Sequence, residues 1–453
     1  MLTNTAPLGW ARIVQLGLIQ AALGSIVVLT TSTMNRVMVV ELALPAMVPG
    51  FLVALHYIVQ IVRPRFGYGS DLGGRCTPWI MRGMAVLALG AVGASASVAL
   101  MATQRLLGIV LAVVAFVFIG LGVGAAGTSL LVLLAKRVEA RRRAAAATIT
   151  WFMMILGFII TSVIAGKFLD PFTTTRLVQV TACVAAAAFV MGLVGVWKTE
   201  GATAARAVLT PEAASRPAAA SKSFAAALRE IWEEPDCRQL TSFVFLSMVA
   251  YSAQDLILEP FAGTVFGFTP GESTKLSGLQ NTGVLLGMLS VAILGTGVAG
   301  KMLGSLRTWT YWGCLASAVA LLCLGAAGFV GPAWPLRPTV FALGLANGVF
   351  AVSALGSMMA LAGAGRADRE GVRMGLWGAA QAVAFAVGGI VGTVGVDLTR
   401  YLFGSPLLAY GIVFTCEAAL FLAASALAPR DEATVRAELQ AAGNNSGNQY
   451  SAS

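Results

Sequence analysis

Two stretches of an otherwise apolar sequence hold side chains capable of chemistry. The first, TSTMNRVMVVELALP at 31–45, carries Asn35, Arg36 and Glu41; the second, YSAQDLILEP at 251–260, carries Gln254, Asp255 and Glu259. Asp255 and Glu259 stand four residues apart, so a helix would present both carboxylates on one face. One guanidinium and two carboxylates can form a polar clamp for a ligand, a proton-binding site, or a structural ion pair snorkelling to water. Gln280, Asn281 and Glu417 add polar groups to other apolar runs. The expected counter-charge of Arg36 is Asp255 or Glu259. Glu41 lies five residues along the same segment, about 500° around an α-helix, and should point away.

His56, the single histidine, sits in VALHYIVQIVRP. A neutral imidazole can ligate a metal, although a lone membrane histidine more often makes an interior hydrogen bond. The loop GYGSDLGGR contributes Gly67, Asp71, Gly74 and Arg75. Its glycines permit a tight turn, and its aspartate can cap a helix and pair with arginine. A cytoplasmic latch is the structural reading, substrate contact the functional one. Glycine stripes at Gly120, Gly122, Gly124, Gly127 and at Gly388, Gly389, Gly392, Gly395 suit close helix packing. The six cysteines include no CxxC pair, so neither a disulfide framework nor a zinc site is expected.

The elements that must position these groups follow from composition. The 453 residues are 58% hydrophobic and only 11% charged, against about a quarter charged in soluble domains. Apolar runs fall at 13–40, 44–62, 79–102, 107–134, 145–166, 176–197, 240–262, 275–298, 308–330, 338–364, 374–396 and 404–427. Each is long enough to cross a ~30 Å hydrocarbon core as a helix. The expected fold is all-α and polytopic, with twelve transmembrane helices. The N-terminal stretch lacks a separate apolar core before a cleavage site, so the first span is expected to stay. With both termini cytoplasmic, 23 of the 30 Lys and Arg residues fall inside. That bias sets the orientation and accounts for the +10 charge without nucleic acid.

The chain also repeats. FGYGSDLGGRCTPW after the second run is similar to LGTGVAGKMLGSLRTW after the eighth, and RRRAAAATITW to DREGVRMGLW. Asp170 and Asp397 follow Trp151 and Trp377 by 19 and 20 residues. Two six-helix halves in parallel orientation define the expected major facilitator fold. The expected boundaries are 1–197 for the first half, 198–238 for a cytoplasmic linker, 239–430 for the second half and 431–453 for a cytoplasmic tail. Within the linker, Phe224, Ala227, Leu228, Ile231 and Trp232 have the spacing of a surface amphipathic helix.

NRVMVVELALP, GYGSDLGGRCTPW and QDLILEPFAGTVFGFTPGESTKLSGLQNTG together resemble the PucC family. This is the bacteriochlorophyll-delivery branch of the major facilitator superfamily, and the likeness spans 13–427. The resemblance implies a multi-pass protein of the bacterial inner, or intracytoplasmic, membrane. It would carry bacteriochlorophyll or a late precursor and assist assembly of light-harvesting complexes. The implied partners are membrane lipid, the pigment, and light-harvesting polypeptides or pigment-biosynthesis enzymes. Asn35, Arg36, Gln254, Asp255, Glu259, Gln280 and Asn281 are then the ligand-binding candidates, and His56 a candidate magnesium ligand. The Ala-x-x-x-His spacing of light-harvesting helices is absent, because Leu52 stands four residues before His56. The alternative is a proton-coupled major facilitator transporter of another hydrophobic solute, which Asp255 and Glu259 would suit. An enzyme is not expected, because DLILE and DREG are the nearest approaches to the Asp-rich diphosphate motif of a prenyltransferase.

Overall fold

A computed structural model describes residues 8–63, 75–139, 142–200, 235–294, 305–364 and 370–427. The linker helix, the C-terminal tail and the loop residues Gly67, Asp71 and Gly74 lie outside these. Helices α1 (Trp10–Glu41), α2 (Met47–Val62), α3 (Thr77–Met101), α4 (Arg105–Arg137), α5 (Arg143–Phe168) and α6 (Thr174–Val196) form the first half. Helices α7 (Pro235–Phe266), α8 (Pro270–Leu294), α9 (Leu306–Val330), α10 (Leu336–Ala364), α11 (Glu370–Phe403) and α12 (Pro406–Ala426) form the second. Eleven of these are long and apolar enough to cross a membrane, and α2 is a shorter apolar helix. No strand occurs among the described residues. With no water in hydrocarbon to satisfy the backbone, helices meet that demand internally. The protein is a multi-span membrane protein with the major facilitator fold.

The apolar core separates into two main clusters that follow the two halves. One joins residues such as Ile13, Leu87, Phe116 and Leu130 of the first half. The other joins Phe243, Leu321, Phe350 and Phe421 of the second. The glycine stripes pack as their spacing suggests. A side chain at Gly122 would strike the Leu87 backbone, and one at Gly388 would strike that of Val249. The halves meet along α1 with α7, α2 with α11 and α5 with α8.

Both α2 and α8 start on the side of the bundle opposite the chain ends, and each is capped by the other half. Asp397 of α11 accepts hydrogen bonds from the backbone N–H groups of Ala46 and Met47, at 2.9 and 2.7 Å. Asp170, between α5 and α6, accepts from Gly271 N–H at 3.1 Å and from Thr269 Oγ1 at 2.8 Å. A carboxylate at a helix N-terminus satisfies orphan donors and complements the helix dipole. Gly271 and Gly166 bring α8 and α5 into backbone contact at the same place, where a Cβ on Gly166 would fall 2.7 Å from the Gly271 carbonyl. The segment Thr269-Pro270-Gly271-Glu272 adds a reciprocal cap. Thr269 Oγ1 accepts from Glu272 N–H at 3.2 Å, and Glu272 Oε2 accepts from Thr269 N–H at 3.1 Å.

Candidate ligand site between the two halves

The far end of α1 is not an ordinary α-helix. It contains two wide turns, Leu29–Thr33 and Val37–Glu41, in which Met34 and Leu42 N–H groups donate to carbonyls five residues back. Such π-type turns are rare and occur often at functional sites. Their consequence here is direct. The wider turn swings Glu41 round to Arg36, and Arg36 Nη1 meets Glu41 Oε1 at 2.5 Å. The expected pairing of Arg36 with Asp255 or Glu259 is therefore corrected. That expectation assumed an α-helical 100° per residue, which this segment does not keep.

Arg36 still reaches the second half. It is 2% exposed, and its Nη2 donates to the Phe268 carbonyl at 2.5 Å. Gly263 of α7 leaves room for the guanidinium, since a Cβ there would lie 3.0 Å from Nε and Nη2. One turn earlier, Pro260 interrupts α7 and supplies no N–H to the Leu256 carbonyl four residues back. Asn35 Nδ2 fills that vacancy at 2.5 Å from across the interface. Thr33 and Thr274 hydroxyls meet at 3.0 Å, which adds α8 to the same seam.

The remaining candidates divide between buried positions at this seam and a partly exposed position beside it. Glu259 is buried and accepts from Ser277 Oγ at 2.5 Å, while its other oxygen has no partner among the described residues. Gln254 is fully buried with neither amide atom partnered there. Asp255 is instead partly exposed and lies within electrostatic reach of Tyr57 and Tyr251. Tyr57 and Tyr251 both approach the Phe385 ring, with centroids 5.0 and 6.0 Å away. These three partly exposed aromatic rings come from α2, α7 and α11, across both halves. Asn281 turns back to its own helix, donating to Ser277 O at 2.9 Å, and Gln280 is buried where α8 meets Gly344 of α10. Arg75 is exposed before α3.

His56 is a poor fit for a magnesium macrocycle. It is 2% exposed; its Nε2 lies 3.0 Å from Gln60 Nε2, and its carbonyl abuts Gly120. Nδ1 is buried without a partner among the described residues. Two other acidic groups differ in what surrounds them. Glu200, just after α6, accepts from Cys76 and Thr77 N–H at 2.8 and 2.9 Å and so caps α3. Glu417 is 2% exposed, and neither carboxylate oxygen has a partner among the described residues.

The fold class agrees with solved structures. The nucleoside transporter NupG, as a point mutant, superposes with a TM-score of 0.65 at 13% identity, covering 91% of this chain and 98% of that one. Tetrameric PepTSo2 gives 0.65 at 15% identity, covering 92% and 96%. At such identities the likeness concerns the fold alone. The chain belongs to the PUCC protein family, whose profile matches residues 33–431. A relative from Rhodobacter capsulatus, the "Bacteriochlorophyll synthase 44.5 kDa chain", is 52% identical over 421 residues, covering 93% of this chain and 95% of the relative. Protein PucC of the same organism is 29% identical over 443 residues, covering 92% and 91%.

The relative named as a synthase chain corrects one expectation. A chain that is not an enzyme was expected, and the name of this relative, a bacteriochlorophyll synthase chain, overturns that expectation.

Proposed function

We propose that this protein binds bacteriochlorophyll or a late precursor between its two halves and delivers it to light-harvesting complexes during their assembly, in association with a bacteriochlorophyll synthase. The observation that carries the reading is the 52% identity, over nearly the whole of both chains, to a relative whose name joins that pigment to its synthase. The geometry supports it as well. Tyr57, Tyr251 and Phe385 offer aromatic faces suited to offset stacking on a flat ring. Asp255, partly exposed next to these rings, would supply a hydrogen-bond acceptor at the rim. When bound, the pigment supplies a light-absorbing macrocycle with a Lewis-acidic metal. The chain holds it apart from water and from other pigments. The seam of Asn35, Arg36, Glu41 and Glu259 closes the space toward the far side.

In this reading the protein sits in the bacterial inner membrane with both termini cytoplasmic. A chromosomal deletion tests the delivery role. Light-harvesting complexes should fall further than total bacteriochlorophyll, and antenna levels equal to those of the parent strain would refute it. A second reading, proton-coupled transport of another hydrophobic solute, draws on the unpartnered Glu259 oxygen. It predicts proton uptake with solute in proteoliposomes, and no pigment in the purified protein.

A further inference from the structure

Away from the interface between halves, α5 and α6 both pack on α1 but barely on each other. Gly157 of α5 seats against the Ala21 backbone and Gly195 of α6 against Ile19, so both helices are held close to α1 while a groove stays open between them. The groove has a volume of about 790 Å³, within the usual range for ligand sites. Along α5 its lining runs from Met153 to Phe168, about 22 Å at 1.5 Å per residue. That exceeds one leaflet of a ~30 Å hydrocarbon core, so a single extended chain can lie in it.

The floor and walls are apolar almost throughout. Ser25 and Thr161 add hydroxyls, and the one charged group is at an end, where Arg176 and Gln179 of the first turns of α6 complete the lining. Among the described residues, no acidic side chain lines the groove. Arg176 Nη1 donates to the Pro171 carbonyl at 2.7 Å, which fixes the side chain and leaves most of its guanidinium donors free. Lys167, in the last turn of α5, is exposed at the same end of the helix pair but does not line the groove. The nearby Asp170 is already engaged by Thr269 and Gly271.

We propose that this groove is a binding site for one anionic glycerophospholipid, with an acyl chain between α5 and α6 and its phosphate on Arg176. Charge decides the occupant. A guanidinium at the mouth matches a phosphate in bidentate geometry. The ester end of an isoprenoid pigment tail carries no charge for it to meet. The site is separate from Asp255 and does not depend on the function proposed above.

The test uses full-length protein purified in detergent, exchanged into vesicles of equal parts phosphatidylglycerol and phosphatidylcholine, re-extracted gently and read by native mass spectrometry. One phosphatidylglycerol per chain should be retained in preference to phosphatidylcholine. Arg176→Gln should lose that preference several-fold while still holding a chain. Ala187→Trp, which fills the groove from an exposed position on α6, should lose both lipids. Cys183→Phe is the alternative filler, and Leu106→Trp, on the outer face of α4, is the control. Equal retention of the two lipids, or a preference that survives Arg176→Gln, would overturn the proposal. So would retention unaffected by the folded filling variants, or a pigment in place of the lipid that these variants expel.

Discussion

Asn35 completes a hydrogen bond that Pro260 prevents α7 from making for itself. The Leu256 carbonyl would ordinarily accept from the N–H of residue 260, and it accepts instead from Asn35 Nδ2 at 2.5 Å. A defect in one half is thus repaired by the other. Asn35→Leu should cost about 1–3 kcal/mol by leaving that carbonyl orphaned. Pro260→Ala restores the internal donor, so the double variant should recover much of the loss in thermal unfolding. Strictly additive losses would show that the two residues act independently.

The Arg36–Glu41 pair gives a second cycle. Arg36 is buried but Glu41 is exposed, so water screens the pair and losing one member should cost less than the roughly 3–5 kcal/mol of a fully buried pair, with removal of both milder still. Arg36→Ala and Glu41→Ala should each lower the melting temperature, and the double variant should recover part of it. Arg36→Ala with Glu259→Ala should be closer to additive, because Glu259 is held by Ser277 rather than by Arg36. Recovery in the Glu259 pair and none in the Glu41 pair would reverse the assignment.

Asp170 and Asp397 cap helices of the opposite half, and each cap of this kind is worth about 0.5–2 kcal/mol. Asp170→Ala and Asp397→Ala should loosen the far side rather than unfold the chain. In a cysteine-free background, a cysteine at the fully buried Ser273 should react faster with an impermeant maleimide when either carboxylate is removed. Unchanged labelling in both variants would deny them a closing role.

Glu417 is the opposite case, a buried carboxylate without a partner among the described residues. Replacing such a group by an apolar residue of similar size is nearly neutral or stabilising. Glu417→Leu should leave the melting temperature unchanged or raise it. A clear loss would reveal that the carboxylate is engaged in the working protein.

Much of the fold could be read from the lengths of the apolar runs, because a bilayer accepts few alternatives to a helix of about twenty residues. The equivalence of Asp170 and Asp397 was visible as a repeated spacing from Trp151 and Trp377, but the helices they cap belong to the other half and left no local trace. The partner of Arg36 was missed because no residue in VMVVE announces a turn wider than α. Asn35 was recognisable as polar in an apolar run. Its purpose needed Pro260 as well, and a proline inside an apolar helix is the signal that could have supplied it. Glu200 was hidden similarly, since an acidic residue just past a helix end does not name the N-terminus it reaches.

The central claim is that a pigment sits between the halves against Tyr57, Tyr251, Phe385 and Asp255. The most direct measurement is the absorbance spectrum and solvent extract of the protein purified in mild detergent from a bacteriochlorophyll-making host, beside a Tyr251→Ala/Phe385→Ala variant. The wild-type protein should carry a bacteriochlorophyll-type pigment in fixed proportion to protein, and the folded variant should lose most of it. A colourless wild-type protein, or a variant with the same pigment content and spectrum, would contradict the account.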